Sequence, residues 1–472
     1  MRVKKRTVVL VALIVGGAAA SPLRAQSVSS GTSGSNFRAS DPGVRTGSVG
    51  AGQALSTLSA SQSQFFHDGQ ARFSEVEQVA NGLGPTYNST SCASCHAQPV
   101  AGGTSPSTNQ YPNIGPNPQI EAANAGGATN KIPFFIAADG PVREARFPFK
   151  LAPNGSVTRT PDGGVHALFT ITGRSDAGSC NMEQPNFDAM HQIGNLIFRI
   201  PTPTFGAGLI ENIPDSAILT NMQANGNLKQ VLGISGHPNY SGNDGSITRF
   251  GWKAQNKSLE VFTGEAYNVE MGVTNELFPN ERNSPPTACM LNPTPEDATN
   301  FDASGYLILS DLAQFSHFMR FLAPPTQSSA GIPGNPPPSS IQNGHAIFQQ
   351  IHCNMCHSEV LETGTSKLTL GLSHQAAALF SDLLVHHMGS GLADNIAQGS
   401  AGADEFRTAP LWGLGQRIFF LHDGRSTPAN GGLVHAIEQH ASSGSEANTV
   451  INLYHSLSQQ QRQDLLNFLR SL

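Results

Sequence analysis

The sequence predicts a mainly α-helical protein made of two related domains, with long loops and small β-hairpin insertions. Residues 311–322 and 458–472 each place apolar side chains at helical spacing, and each segment closes one half of the chain. The pattern Cys-x-x-Cys-His occurs once in each half. Short β-like stretches such as 165–172 suggest small hairpins. The shared order of helices and cysteine motifs indicates a duplicated helical unit.

The chain divides into five predicted segments. Residues 1–25 combine a basic start, a short apolar run and small residues before a cleavage point, which is the pattern of a secretory signal peptide. Residues 26–60, rich in Ser, Gly and Ala, are expected to form an extended or partly disordered arm. Residues 61–323 form the first domain, the Pro- and Gly-rich residues 324–339 the linker, and residues 340–472 the second domain.

The same N-terminal pattern predicts a periplasmic or secreted location. The apolar run is too short to cross a bilayer comfortably, and no later segment approaches eighteen consecutive apolar residues. A retained N-terminal anchor is the alternative. No membrane span is expected in the rest of the chain.

The charge balance excludes some classes of partner. The chain has 27 Lys and Arg against 33 Asp and Glu. Loss of residues 1–25 removes five basic and no acidic residues, so 22 basic against 33 acidic residues give a net charge of −11. Such a surface does not suit nucleic acid or anionic lipid. It favours a basic partner such as a small electron-donor protein.

Two pentads carry the strongest chemical signal, and they are Cys92-Ala-Ser-Cys95-His96 and Cys353-Asn-Met-Cys356-His357. Haem c attachment requires two thiols that reach the vinyl groups and an adjacent histidine that binds iron. A zinc ribbon is an alternative use of two cysteine pairs, but these pairs are 261 residues apart and each adjoins a histidine. A thioredoxin-like pair needs a βαβ setting that neither pentad has. We therefore predict two covalently attached haem c groups in two cytochrome c-like domains.

An internal repeat accompanies the pentads. Gly344-His-Ala-Ile-Phe348 precedes the second pentad, and Gly69-Gln-Ala-Arg-Phe73 precedes the first. Glycine permits close helix packing, and the phenylalanine four residues later lies on the same helix face, toward the haem. Downstream, each half carries a related Arg-, Pro- and Gly-containing loop, at 199–208 and 407–415.

Two cysteines remain outside the pentads. In an oxidising compartment Cys180 and Cys289 could form a disulfide, although the sequence does not show that they lie close together.

These motifs resemble a known family. The ordered segments that match are 81–85, 249–253, 270–275, 387–391, 406–408 and 421–425. From about residue 60 to the C-terminus, the chain is similar to the bacterial di-haem oxidoreductases of the peroxidase type, relatives of the di-haem cytochrome c peroxidases. It is more distantly similar to the haem-containing rubber oxygenases.

The resemblance implies a division of labour, in which one haem reacts with an oxidant such as hydrogen peroxide or dioxygen and the other relays electrons. Relatives also hold a calcium ion between their domains, although no Asp-rich loop predicts one here.

Ligands of the C-terminal haem follow partly from this resemblance. His357 is predicted as the proximal ligand. In related proteins the second ligand follows a His-Asp-Gly segment, and residues 433–440 match that region, which favours His440. A small insertion at 430–432 shifts the spacing. Met388 is the alternative, since a thioether ligand raises the reduction potential.

At the N-terminal haem only the proximal ligand, His96, is predicted. Residues 97–165 contain no histidine, which favours a five-coordinate iron open to peroxide or dioxygen. His166, His191 and His237 are the remaining candidates for a sixth ligand, although surface or core positions suit them equally well.

Two further residues are candidates for catalysis. Glu211 could move a proton during peroxide cleavage, or it could be a solvated loop carboxylate. Trp252 could lie between the haems and carry electrons, or it could be a core tryptophan.

Three functions are compatible with these predictions. The first is a peroxidase-like oxidoreductase in which the C-terminal haem passes electrons to the open N-terminal haem. The second is an electron-transfer cytochrome with two six-coordinate irons and no substrate of its own. The third is an oxygenase that uses the open haem on an organic substrate. Resemblance in fold does not determine the substrate.

Overall fold

The computed structural model describes residues 37–47, 49–106 and 116–472. The predicted signal peptide and the first part of the predicted arm lie outside the described residues. Ala39–Leu472 form one compact unit. The boundary predicted at 324–339 stays a prediction.

The prediction of a mainly α fold is wrong. Helices account for 32% of the chain and strands for 12%, distributed over many small sheets. The reason lies in the long insertions of the first half and in the loops of the second. These segments are too rich in Gly, Pro and Asn to continue as helices, and they pair locally as short antiparallel strands.

The helices of the described residues fall into two groups. Those of the first half are α1 (Ala60–Phe73), α2 (Cys92–Cys95), α3 (Pro118–Asn124), α4 (Phe187–Gln192), α5 (Ala207–Glu211), α6 (Asp215–Gln223), α7 (Gly226–Leu232), α8 (Leu259–Met271) and α9 (Asp311–Phe321). Those of the second half are α10 (Pro338–Gln350), α11 (Leu433–Glu438), α12 (Asn448–Ser456) and α13 (Gln459–Ser471). Short 3-10 turns connect several of them.

All strand pairs are antiparallel, and most sheets have two strands. The strands are β1 (Thr86–Tyr87), β2 (Glu144–Arg146), β3 (Phe149–Leu151), β4 (Val157–Pro161), β5 (Val165–His166), β6 (Phe169–Thr170), β7 (Ile197–Arg199), β8 (Asn239–Tyr240), β9 (Ile247–Thr248), β10 (Asn300–Phe301), β11 (Leu307–Ile308), β12 (Leu361–Glu362), β13 (Ala376–Ala377), β14 (Val385–His387) and β15 (Glu405–Arg407). The one three-stranded sheet in the described part of the chain has the order β5-β2-β7. The stretch at 165–172 is extended as expected, but it is no hairpin, since β5 pairs with β2 and β6 with β1.

Both predicted closing helices are confirmed. The N-cap of α13 is Ser458, whose hydroxyl accepts from the backbone N–H of Gln461, and the Gln461 side chain completes a capping box. The N-cap of α9 is Ser310, which accepts from the N–H of Ala313. Each closing helix packs against the helix that begins its half, α9 against α1 and α13 against α10.

Glycines at equivalent places bring each helix pair together. A Cβ added at Gly69 of α1 would lie 2.3 Å from the carbonyl oxygen of Gln314, and one added at Gly344 of α10 would lie 2.0 Å from that of Asp464. The two related loops repeat this contact. A Cβ added at Gly208 would lie 2.0 Å from the carbonyl oxygen of Arg320, and one added at Gly415 would lie 2.2 Å from that of Arg470. The internal repeat is therefore a repeat of backbone contacts.

An N-terminal strap and a disulfide tie distant parts of the chain together. Asp41 forms a bidentate ion pair with Arg470 of α13, in which two guanidinium nitrogens each donate to one carboxylate oxygen at 2.7 Å. Further along, Arg45 donates to the carbonyl oxygen of Ser471. In the first half, Cys180 and Cys289 form a disulfide. Among the described residues, no helix is both long and apolar enough to cross a membrane.

Replacement of Gly344 by alanine tests the close helix contact. We expect the free energy of unfolding to fall by about 1–3 kcal/mol, because the new methyl group forces α10 and α13 apart. Gly226→Ala is the matched control, since no atom lies within 4 Å of a Cβ added there. That control should change stability by less than about 0.5 kcal/mol. Urea unfolding followed by circular dichroism measures both, and equal effects would contradict the proposed contact.

Candidate functional site

The first pentad opens onto a cavity in the first half of the chain. Its empty volume is about 1230 Å³, and Cys92, Cys95 and His96 all contribute to its wall. Helices α8 and α9 supply much of the remaining wall, together with β2 and β7. The pentad therefore lies where two helices and a sheet meet, at the side of a cavity that is partly open to solvent.

The second pentad opens onto a separate cavity with an empty volume of about 1640 Å³. Its wall contains all three pentad residues together with both predicted second ligands; these residues are Cys353, Cys356, His357, Met388 and His440. The two cysteine pairs line different cavities, so they do not form a four-cysteine zinc site.

Both pentad histidines are held in the same way. Nδ1 of His96 lies 3.1 Å from the carbonyl oxygen of Gly103, and Nδ1 of His357 lies 3.0 Å from that of Phe380. A carbonyl at this distance favours a proton on Nδ1, which leaves Nε2 as the nitrogen able to bind a metal. Burial lowers the pKa of both rings to about 4, so both are neutral at physiological pH.

His440 shares this arrangement. Its Nδ1 lies 2.8 Å from the carbonyl oxygen of Ala436, one turn earlier in the same segment. The pKa of His357 is lowered first by burial and second by the charge of His440, and both rings line the second cavity. Met388 lines the same cavity. The choice between these two ligands stays a prediction.

Two buried arginines make the second cavity suitable for an anionic cofactor. Arg407 and Arg417 line it, and each donates only to backbone carbonyls, such as those of Gly251 and Pro410. Burial lowers the pKa of each guanidinium to about 10. No carboxylate of the described residues lies within ion-pair distance of either one. A buried cation without a partner is costly, and the propionates of a haem would supply one.

The three-stranded sheet brings three charged side chains to the wall of the first cavity. Glu144 of β2 lies opposite Arg199 of β7, and Arg146 lies two residues further on the same strand face. Nε of Arg146 donates to Glu144 at 2.6 Å. All three side chains line the cavity.

Glu270, at the C-terminal end of α8, meets this group from the other side. Its carboxyl group is hydrogen-bonded to that of Glu144, and it also accepts from Nδ2 of Asn88 at 2.6 Å. Burial, followed by the negative charge of Glu144, raises the pKa of Glu270 to about 8. Burial also opposes ionisation of Glu144, but Arg146 and Arg199 outweigh it and lower the pKa of Glu144. The pair therefore holds one negative charge and one proton at neutral pH, with the proton on Glu270.

The sequence did not single out either member of this pair. Glu270 begins the 270–275 segment that carried part of the family resemblance, and only that match could have marked it. Glu144 lies in an insertion and has no local signal. Only the pairing of β2 with β7 brings it to the cavity.

Glu211, the carboxylate predicted for catalysis, has other partners. It forms an ion pair with Arg320 of α9 and accepts from the backbone N–H of Leu259 at the start of α8. It is not among the residues that line the first cavity. The structure thus places Glu211 as a link between helices, and the catalytic role predicted for it gains no support from its position.

Trp252 lines both cavities, and its role in carrying electrons between haems stays a prediction. It is one of the few residues that line both, together with Ile200 and Pro201 of the 199–208 loop. Its indole N–H donates to the carbonyl oxygen of Ile200 at 2.8 Å. On the side of the second cavity its ring meets His422, which stacks on Phe406.

The three histidines considered as sixth ligands lie elsewhere. His166 stacks on Phe147, His191 contacts Phe134, and His237 bonds Glu405. None of them lines the first cavity, whose wall among the described residues contains no histidine besides that of the pentad. Calcium between the domains stays a prediction.

Two cavities that each carry a cysteine–histidine pentad define a protein with two cofactor sites. A family model described as "Di-haem oxidoreductase, putative peroxidase" matches residues 160–472, more than half of the chain. The chain therefore belongs to this family, as its motifs predicted, and haem is the cofactor that the family binds. The matched range contains the second pentad and begins after the first.

Solved structures show only distant likeness. Hydrazine synthase from Kuenenia stuttgartiensis is 13% identical, with 95% of this chain and 99% of that chain covered and a TM-score of 0.32. A MauG-like protein associated with microbial copper homeostasis is 16% identical, with 50% of this chain and 77% of that chain covered and a TM-score of 0.27. At these TM-scores the likenesses carry no argument. No curated protein matches the chain.

Replacement of Glu144 by glutamine tests the carboxyl pair. We expect the pKa of Glu270 to fall by about one unit or more, because the negative charge that disfavours its ionisation is removed. The infrared absorption of the protonated carboxyl group, followed from pH 5 to 10, measures this. Glu265→Gln is the control, since Glu265 lines the same cavity but bonds Asn256. An unchanged titration in Glu144→Gln would refute the pairing.

Proposed function

We propose that this protein is an exported di-haem c-type oxidoreductase that reduces peroxide in its first cavity. The observation that carries the proposal is the Glu144–Glu270 pair, which supplies a proton and a negative charge at the wall of a cavity with a single histidine. In this proposal the four pentad cysteines attach two haems, and His96 and His357 bind the irons. His440 is the second ligand in the second cavity, and the first iron keeps an open position.

The residues of the first cavity account for the proton movements of this reaction. A haem bound at His96 supplies an open coordination position and electrons. Cleavage of the O–O bond requires a proton to leave one peroxide oxygen and another to reach the departing hydroxide. Glu270 donates its proton to the hydroxide, and the paired carboxylates accept the proton of the other oxygen. Arg146 holds Glu144 in place and stabilises negative charge at the wall.

Electrons are proposed to enter through the second cavity. Trp252 supports this direction, since it lines both cavities and contacts the His422–Phe406 stack on the second side. The acidic balance of the chain favours a small basic electron-donor protein as the partner. The relay therefore runs from the donor through the second haem and Trp252 to the first.

Export is supported by two features. The first 25 residues have the pattern of a signal peptide. The Cys180–Cys289 disulfide suits an oxidising compartment, as does covalent haem attachment. Both features support a periplasmic or secreted location.

Electron paramagnetic resonance of the haem-loaded protein tests the proposed function. We expect one high-spin and one low-spin ferric signal, together with consumption of hydrogen peroxide by the reduced protein.

Glu270→Gln should slow that consumption about 10²- to 10⁴-fold, the usual contribution of a proton-transferring group. Glu211→Gln should keep the rate within a few-fold, because that carboxylate bonds Arg320 instead. Two low-spin signals that persist on half-reduction would mean an electron carrier, and substrate oxygenation without peroxide turnover would mean an oxygenase.

Trp252→Phe tests the electron path. We expect slower electron transfer between the two haems, because phenylalanine is much harder to oxidise or reduce than tryptophan, while haem content stays the same. Stopped-flow absorbance after rapid reduction of the second haem measures the rate. Trp412→Phe is a matched control, since Trp412 is also buried but lines neither haem cavity. Equal rates in wild type and Trp252→Phe would exclude the path.

A further inference from the structure

One buried tyrosine in the wall of the first cavity has an uncommon partner. Tyr267 of α8 is 2% exposed, and its hydroxyl donates to Oε1 of Glu77 at 2.8 Å. Glu77 is itself 3% exposed and lies in the loop between α1 and the first pentad. Burial raises the pKa of Glu77 to about 7 against the opposing hydrogen bond from Tyr267, so above that pH the phenol donates to a carboxylate that can accept its proton.

The same pair lies close to the cofactor site. Tyr267 lines the first cavity together with Cys92 and Phe315, and its ring meets the Phe315 ring edge-on at 5.0 Å. The backbone N–H of Glu77 donates to the carbonyl oxygen of Thr90 at 2.8 Å, two residues before Cys92, so Glu77 also lies near the attachment point. Both members of the pair are therefore neighbours of the first pentad.

We infer that Tyr267 is a one-electron donor to the first cavity, with Glu77 as the acceptor of its proton. This inference rests on the proposed peroxide reduction. In the step, the phenolic O–H bond of Tyr267 breaks and an O–H bond forms on Glu77. The electron passes to hydrogen peroxide in the cavity, which takes up two electrons and two protons and forms two water molecules. The phenolic proton stays on Glu77, and the two protons come from solvent, one of them by way of Glu270. The other electron comes from the cofactor.

Burial explains why the proton must move with the electron. Oxidation without proton transfer would leave a positive charge in an apolar wall, which costs several kcal/mol. Transfer to Glu77 instead leaves a neutral radical and a neutral carboxyl group. When an electron later arrives from the donor side, the proton returns from Glu77 and the tyrosine is restored.

Two other aromatic residues, Trp252 and Tyr87, do not offer this arrangement. The Trp252 indole donates to a backbone carbonyl, that of Ile200, which does not take up a proton. The Tyr87 hydroxyl, also fully buried in the first half, donates to the carbonyl oxygen of Ala122 at 3.0 Å. Trp252 is thus suited to pass electrons onward, whereas Tyr267 is suited to give one and hold the oxidised state.

Rapid-freeze electron paramagnetic resonance of the haem-loaded protein mixed with hydrogen peroxide tests this inference. We expect a tyrosyl radical signal in wild type, and the signal should narrow when the protein contains ring-deuterated tyrosine. Tyr267→Phe should abolish the signal. Glu77→Gln, which can still accept the hydrogen bond but takes up no proton, should reduce the radical yield several-fold. Tyr87→Phe is the matched control and should give the wild-type yield.

Peroxide consumption, followed in the same samples, separates the inference from the proposed function. Consumption without a tyrosyl radical, or with a radical that survives in Tyr267→Phe, would overturn the inference alone. No consumption by wild type would overturn the proposed function and this step with it. An unchanged yield in Glu77→Gln would remove Glu77 as the proton acceptor. Haem content and thermal unfolding of each variant show that the site has folded.

Discussion

A single buried carboxylate holds the walls of the two cavities together. Asp394 is fully buried and lies 2.6 Å from a guanidinium nitrogen of Arg199 and 3.1 Å from Nζ of Lys253. Arg199 belongs to the sheet that carries Glu144, and Lys253 adjoins Trp252 and lies over the ring of Phe406. Without the carboxylate two buried cations would face each other, a loss worth about 3–5 kcal/mol. The carboxyl pair and the tryptophan keep their positions because this ion cluster does.

The charged side chains that line the two cavities give them different electrostatic character. In the first, Glu144 pairs with Arg146 and Asp394 with Arg199, and the additional carboxyl group of Glu270 keeps a proton near neutral pH. In the second, Arg407 and Arg417 bond only carbonyls, so that cavity has a surplus of positive charge. One cavity is prepared for proton transfer and the other for a stable anionic cofactor, which agrees with a division into a reactive centre and an electron relay.

The sequence predicted what depends on local pattern and on repetition. The pentads, the two closing helices with the Ser458 cap, and the glycines of each helix pair could all be read from spacing, because each follows from contacts within a few residues or from a duplicated unit. The balance of helix and strand was misjudged, since the insertions pair as short strands with partners far along the chain. Glu144 was missed for the same reason. Glu211 and Glu270 look alike in sequence, and only their packing partners, Arg320 and Glu144, distinguish them.

The strap formed by Asp41 and Arg45 has a consequence for how the molecule is assembled. Its anchor points are Arg470 and Ser471, at the very end of the last helix, so residues more than four hundred positions apart must meet. During synthesis the strap is made more than four hundred residues before its partner. Contacts of such sequence separation form late, because a long loop must be closed first. The second half of the chain therefore remains open on this side until residues 470 and 471 have been made, which leaves a period in which its cavity is accessible to a cofactor.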